Sequence, residues 1–185
     1  MTDHNTPIEL RRDCNATVIP GGDKVTLRCG ERVRVTQALG GSFTVITSLG
    51  YMVRIGPADS DALGMEPNPI TQLPVPVPAS GAFDLNQVYE QLKGVFDPEI
   101  PVNVVDLGLI YACQAQPLPD GGHRVEIQMS MTAPGCGMGD VLREDAIAMV
   151  KTVPGVTEVS VELVWDPPWG PNRMSEAALL QLDML

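Results

Sequence analysis

Histidine is scarce in this chain of 185 residues: only His4 and His123 occur. The commonest general base of enzymes is thus nearly missing, so acid–base chemistry has few carriers. Basic residues are also few. Twelve lysines and arginines stand against 23 aspartates and glutamates, for a formal net charge of −11. Phosphate backbones and anionic lipid repel such a chain, which argues against a general nucleic-acid or membrane-surface binder. No apolar run approaches the roughly 20 residues that span a bilayer. Met1-Thr2-Asp3-His4-Asn5-Thr6-Pro7 has neither the basic start nor the apolar core of a secretory signal, and a cytoplasmic location is expected. The four cysteines, Cys14, Cys29, Cys113 and Cys136, contain no C-x-x-C pair. A closed zinc site is therefore not expected, nor, in a reducing cytosol, a disulfide framework.

What is present divides the chain in two. Met65 to Gly81 is rich in proline, with Pro74, Pro76 and Pro78 alternating with apolar residues. Alternating prolines cannot donate ladder hydrogen bonds and favour an extended, semi-rigid spacer or strap. Residues 1–65 are read as a small β-rich block, 66–81 as the linker and 82–185 as the main domain. In the first block, Val25-Thr26-Leu27, Val33-Arg34-Val35, Phe43-Thr44-Val45-Ile46 and Tyr51-Met52-Val53-Arg54-Ile55 are short β-like runs separated by turn residues. About four strands would form a marginal sheet without further packing.

The main domain reads α-β-β-α-β-α, an α+β fold with a small mixed sheet and flanking helices. Asp84 caps a helix predicted from Leu85 to about Val95. Val104 to about Gln114 reads as a strand, and Pro119-Asp120-Gly121-Gly122 as a hairpin turn. Val125, Ile127, Met129 and Met131 alternate on one face of the next strand. Met138 to Val150 reads as a helix with a stripe of Met138, Val141, Leu142, Met149 and Val150. A third strand has Val159, Val161, Leu163 and Trp165 facing inward, and Ser175 caps a last helix to about Met184. The strand–helix–strand portion should be a right-handed crossover between parallel strands.

Chemistry concentrates at Met131-Thr132-Ala133-Pro134-Gly135-Cys136-Gly137-Met138-Gly139-Asp140. This places one cysteine in a glycine-rich turn between a predicted strand and a predicted helix. A helix N-terminus favours the thiolate, the nucleophilic and metal-binding form. The glycines remove bulk around the sulfur. The same pattern also suits a tight structural turn around a buried cysteine. Several carboxylates need accounting for: Asp106 within the apolar Val104–Ile110 run, Asp97 and Glu99 in Asp97-Pro98-Glu99-Ile100-Pro101, Asp145 beside the apolar helix stripe, and Asp166 between Trp165 and Trp169. A buried carboxylate must be paired, hydrogen-bonded or protonated. Each is also explained by a turn cap or a boundary position, and the tryptophans by core or interface packing.

Four of these segments, Asp97-Pro98-Glu99-Ile100-Pro101, Asp106-Leu107-Gly108-Leu109-Ile110, Met131 to Cys136 and Trp165-Asp166-Pro167-Pro168-Trp169, resemble in order the metal–sulfur cluster biosynthetic (PaaD-like) domain family of iron–sulfur assembly proteins. Met174-Ser175-Glu176-Ala177-Ala178 fits the same pattern. Thr36 to Val45 and Asp59 to Gly64 resemble the N-terminal extension of the SufT branch. The resemblance implies assembly or transfer of clusters during iron–sulfur protein maturation rather than turnover of a metabolite. Cys136 matches the family's reactive cysteine, and Asp97, Glu99 and Asp106 match its acidic positions. As iron ligands these form the expected metal set, with Trp165, Asp166 and Trp169 as the interaction surface. The phosphate-binding loop of the cluster-carrier ATPases is missing, so any ATP requirement belongs to a partner.

A cluster usually takes about four thiolate-type ligands, and this site offers one. Either two chains in a homodimer share a bridging cluster, or iron or a cluster is held transiently with carboxylate, water or a small thiol. Assembly machinery and client apoproteins are the partners implied. Two other readings stand beside this one: a cysteine-nucleophile acyl transferase or hydrolase, and an adaptor that binds no metal. The enzyme reading needs a base, and at extended-strand rise His123 is about 25 Å from the Cys136 turn. No intrinsic enzyme activity is expected.

Overall fold

The computed structural model describes residues 6–65, 83–133 and 137–184. The proline-rich linker expected at 66–81 lies outside the described residues. Contacts divide the chain into two compact units. One comprises Met1–Thr71 with Pro98–Pro101, the other Gln72–Asp97 with Val102–Leu185.

The first unit is a six-stranded antiparallel sheet. Its strands are β1 (Ile8–Glu9), β2 (Cys14–Val18), β3 (Lys24–Leu27), β4 (Arg32–Leu39), β5 (Ser42–Thr47) and β6 (Met52–Ile55), in spatial order β1-β4-β5-β6-β2-β3. Period-two alternation sends Val33, Val35, Phe43, Val45, Val53 and Ile55 to one core with Leu10, Cys14, Ala16, Leu27, Ala62 and Leu63. The expectation of about four marginal strands is corrected. Two short strands before Lys24 complete the sheet, which carries a core of its own. A 3-10 segment, Pro57–Leu63, follows β6 and is clasped by Arg12. The Arg12 guanidinium donates to Asp59 Oδ1 at 2.8 Å and to both oxygens of Asp61.

Hydrogen bonding from Arg12, and then its charge, holds the Asp61 carboxyl below the usual carboxylate range. A carboxyl whose folded pKa is depressed stabilises the fold above its unfolded value, near 4, and loses that contribution as pH falls through the folded value. Both groups are partly exposed, so the effect is modest and salt-screened. Thermal unfolding of the full chain should therefore lose less between pH 6 and pH 3 in Arg12→Met than in the parent. Identical losses would leave the clasp without a role in acid stability.

The second unit contains α1 (Leu85–Leu92), β7 (Ile110–Pro117), β8 (His123–Met129), α2 (Gly139–Val150), β9 (Val156–Leu163) and α3 (Glu176–Gln181). Asp84 caps α1, accepting from the Asn86 amide at 3.0 Å. The helix ends earlier than expected because Gly94, a poor helix former, bonds back to the Gln91 carbonyl at 2.9 Å in a tighter turn. Val95 stays buried past that end. The sheet order is β7-β8-β9, with β7 antiparallel and β9 parallel to β8. Val125, Ile127 and Met129 on β8 are buried with Val88 and Leu92 of α1 and with Leu142, Ala146 and Val150 of α2. Among the described residues no helix is long and apolar enough to cross a membrane.

Two strand expectations fail at their ends. The predicted Val104–Gln114 strand begins only at Ile110. Residues 103–109 instead form a turn, in which Asn103 Oδ1 accepts from the Val105 and Asp106 amides at 3.1 and 2.9 Å. The Leu107 amide bonds the Asn103 carbonyl at 2.9 Å, and Gly108 closes the turn at φ 70°. An asparagine that satisfies the amides two and three residues on competes directly with strand pairing. Asp106 is thus not a strand residue. The third strand stops at Leu163, and Trp165, expected to face inward, is 46% exposed beyond it. Ser175 does cap the last helix, accepting from the Ala178 amide at 3.1 Å, although that helix ends at Gln181.

Candidate functional site

The register of the second unit gathers three segments at one end of its sheet. Met129 pairs with Ile110 on one side and Leu163 on the other. The turn that enters β7, the chain leaving β8 and the chain leaving β9 therefore meet there. The Ser130 amide donates to the Leu109 carbonyl at 2.8 Å and the Val164 amide to the Met129 carbonyl at 2.9 Å. A crossover between parallel strands exposes the loops at their carboxyl ends, where α/β sheets commonly bind ligands.

Cys136 lies outside the described residues, together with Pro134 and Gly135. The residues that flank them are informative. Met131 and Met138 are buried at 2% and 0% exposure, while Ala133 and Gly137 are exposed. The approach of α2 is set by Gly139, where a Cβ would stand 3.1 Å from Leu163 Cδ1. Met138 occupies the N-cap position of α2 and supplies no side-chain cap. Asp140 in the first turn pairs with Arg143 at 3.0 Å.

The predicted acidic residues do not converge. Asp97 is buried at 3% exposure, its amide bonded to the Val102 carbonyl at 3.2 Å, beside the Phe96–Asn103 bridge. Glu99 is exposed, and its segment groups with the first unit. Asp106 sits in the 103–109 turn, and both of its oxygens accept protein hydrogen bonds, from Asn103 Nδ2 at 2.6 Å and Ser175 Oγ at 2.9 Å. Among the described residues no three histidine, cysteine or acidic side chains gather to hold a metal ion. Asp145 on α2 is half-buried. Of the predicted interaction residues, Trp165 and Asp166 are exposed, whereas Trp169 is held by its Nε1 donating to the Leu107 carbonyl at 2.7 Å. Sequence reasoning passed over Asn103, Tyr111 and Ser175 as partners at this end. The Asn-x-x-Asp spacing before Gly108 was the available signal.

His123 begins β8, at the opposite end from Met129, with its ring stacked on Phe83 at 4.2 Å between centroids. His4 is outside the described residues. The remaining thiols differ in character. Burial pushes both the Cys14 and the Cys113 thiol up to about 11, while Cys29 is exposed. Thiolate fraction governs alkylation. Under native conditions iodoacetamide should therefore label Cys14 and Cys113 slowest, as mapped by mass spectrometry, with Cys136 expected first. Labelling of Cys113 before Cys136 would contradict the activated-turn argument.

A model of the family described as iron–sulfur cluster assembly protein matches residues 85–161. An Fe-S protein maturation auxiliary factor from Porphyromonas gingivalis is 43% identical over 98 residues, covering 53% of this chain and 90% of that protein. The Fe-S protein maturation auxiliary factor YitW of Bacillus subtilis is 32% identical, over 49% of this chain and 85% of its own length. The Staphylococcus aureus factor SufT is 31% identical, over 48% of this chain and 96% of its own length. Among solved structures, a domain of unknown function from Bacillus anthracis is similar at 36% identity, with a TM-score of 0.48, over 55% of this chain and 92% of that one. With nearly the full length of three such factors aligned to about half of it, the chain belongs to the iron–sulfur cluster assembly protein family.

Proposed function

We propose that this chain is an auxiliary factor in the maturation of iron–sulfur proteins, acting in assembly or transfer of clusters with Cys136 as its thiolate ligand. The observation that carries the reading is the identity of 31–43% to three factors named for that role, across 85–96% of their lengths. The placement of the cysteine supports it. Cys136 precedes Gly139, the first residue of α2, by three positions, and the cap of that helix offers no side-chain acceptor to its free amides. Such a terminus favours a thiolate. One cysteine leaves a cluster incompletely ligated, which suits a cargo that must depart. The cargo is iron or an iron–sulfur cluster, held transiently or shared between two copies of the chain. The partners are the assembly machinery and client apoproteins. Asp97, Glu99 and Asp106 enter this reading only as the acidic positions of the sequence motifs, and Trp165 with Asp166 and Trp169 as the surface that meets a partner.

An adaptor role is compatible with the same surface, since Trp165 is exposed beside the exposed Asp166. The two readings part on metal. Anaerobic reconstitution with iron and sulfide should give visible absorption and bound iron in the parent and little of either in Cys136→Ser. Absence of both from the parent leaves only the adaptor.

A further inference from the structure

The Asp106 carboxylate has no oxygen without a protein donor. Asn103 Nδ2 donates to Oδ2 and Ser175 Oγ to Oδ1. The Asn103 amide cannot reverse without loss, because its oxygen already accepts from two backbone amides of the turn. The Ser175 amide also donates to the Asp106 carbonyl at 2.8 Å. The Ser175 hydroxyl gives its proton to Asp106 and accepts from Ala178 at the start of α3. A hydroxyl does both at once through a single oxygen.

The chain before Ser175 is stitched to the same turn at several further points. Trp169 Nε1 donates to the Leu107 carbonyl at 2.7 Å, and the Tyr111 hydroxyl to the Pro167 carbonyl at 2.9 Å. The Arg173 guanidinium lies 3.8 Å above the Tyr111 ring. Gly108 approaches so closely that a Cβ there would stand 2.1 Å from the Arg173 carbonyl oxygen. Residues 164–175 thus form a strap across the turn and the start of β7. The strap begins at Val164, bonded to Met129. Its first exposed large side chain is Trp165.

We propose that Asp106 is a positioning residue rather than an iron ligand: with Asn103 and Ser175 it locks the 164–175 strap onto the 103–109 turn and holds Trp165 at the end of the sheet where the chain leaves β8. Each oxygen keeps a second lone pair, but its two donors fix the carboxylate toward the strap, and a metal that drew it away from Ser175 would free both the strap and the cap of α3. The consequence for transfer rests on the maturation reading above; the lock does not.

Trp165 and Trp169 are the only tryptophans of the chain, so tryptophan emission, excited at the red edge where tyrosine does not absorb, reports on the strap alone. The full chain is compared with Asp106→Asn, Ser175→Ala and Ser175→Thr. The first two should show red-shifted emission and stronger iodide quenching. Ser175→Thr, which keeps the hydroxyl, should match the parent. The Asp106→Asn/Ser175→Ala double variant should shift by less than the sum of the two single variants, because both weaken the Asp106–Ser175 contact. Parent-like emission in Ser175→Ala overturns the lock, and that variant decides the matter alone if Asp106→Asn does not fold. After anaerobic reconstitution, iron per chain and the visible spectrum should be equal in Asp106→Asn and Ser175→Ala. Iron lost in Asp106→Asn alone overturns the assignment and makes Asp106 a ligand. If the parent itself takes up no iron, the maturation reading with a thiolate ligand fails, and the fluorescence still decides the lock.

Discussion

A strain whose only copy of this protein carries Cys136→Ser should lose activity of cluster-dependent enzymes to the level of a strain lacking the protein, with the loss greatest when iron is scarce. The polypeptide levels of those enzymes should fall far less than their activities. The reason is chemical. A thiolate binds iron without a proton relay, and a serine hydroxyl does not ionise near neutral pH to replace it. An acyl-transfer enzyme would need a base beside the sulfur, yet His123 stands at the far end of β8 from the Met131–Gly139 segment, stacked on Phe83. Purified parent protein should accordingly hydrolyse ester and thioester substrates no faster than the serine variant. A Cys136-dependent turnover on such substrates would promote the nucleophile reading over the carrier.

Gly108→Ala should be the most damaging single methyl in the second unit. The residue has φ 70°, and its missing Cβ would lie 2.1 Å from the Arg173 carbonyl oxygen and 2.7 Å from that carbonyl carbon. Left-handed backbone costs a non-glycine residue about 1–2 kcal/mol, and forced displacement of packed backbone adds about 1–3 kcal/mol. A combined loss of about 3 kcal/mol lowers the midpoint of a domain this size by on the order of 10–20 °C. Gly121 supplies the control, with φ 88° and nothing within 4 Å of its would-be Cβ. Gly121→Ala should show the conformational cost alone, about 1–2 kcal/mol. Equal midpoints for the two variants would mean that the strap is not pressed against Gly108.

Much of the second unit was legible in the sequence because its signals were periodic. Val125, Ile127 and Met129 alternate cleanly, and all three are buried on β8. Asp84 and Ser175 each cap a helix as their side chains suggest. The Val104–Ile110 run is a turn as far as Leu109 where a strand is expected, because a continuous apolar stretch has no period to distinguish the two. Val104, Leu107 and Leu109 are indeed fully buried, but Asn103 and Gly108 bend the chain between them. In the first unit, Ile8–Glu9 is too short to show a pattern and Cys14–Val18 has two adjacent buried residues, Ala16 and Thr17, which break the alternation. Those two strands turn a marginal meander into a sheet with its own core.

The sequence offers candidate site residues but not their arrangement. Asp106 stood out as a carboxylate in apolar company, and the structure explains the company through Asn103 and Ser175, whose side chains are 3 and 69 positions away. No local pattern announces a hydrogen bond across 69 residues. The β9 alternation that would turn Trp165 inward stops two residues short of it, before Val164 makes its bond to Met129. Trp169 carries the inward role instead, through Leu107.

Transfer is the most direct measurement of the central claim. The parent and Cys136→Ser are each treated anaerobically with iron and sulfide, freed of unbound metal, and mixed with an apoenzyme whose activity requires an iron–sulfur cluster. The account predicts that the treated parent restores enzyme activity in proportion to the iron it carried, while the serine variant restores none above free iron and sulfide. Equal restoration by the two proteins would contradict it.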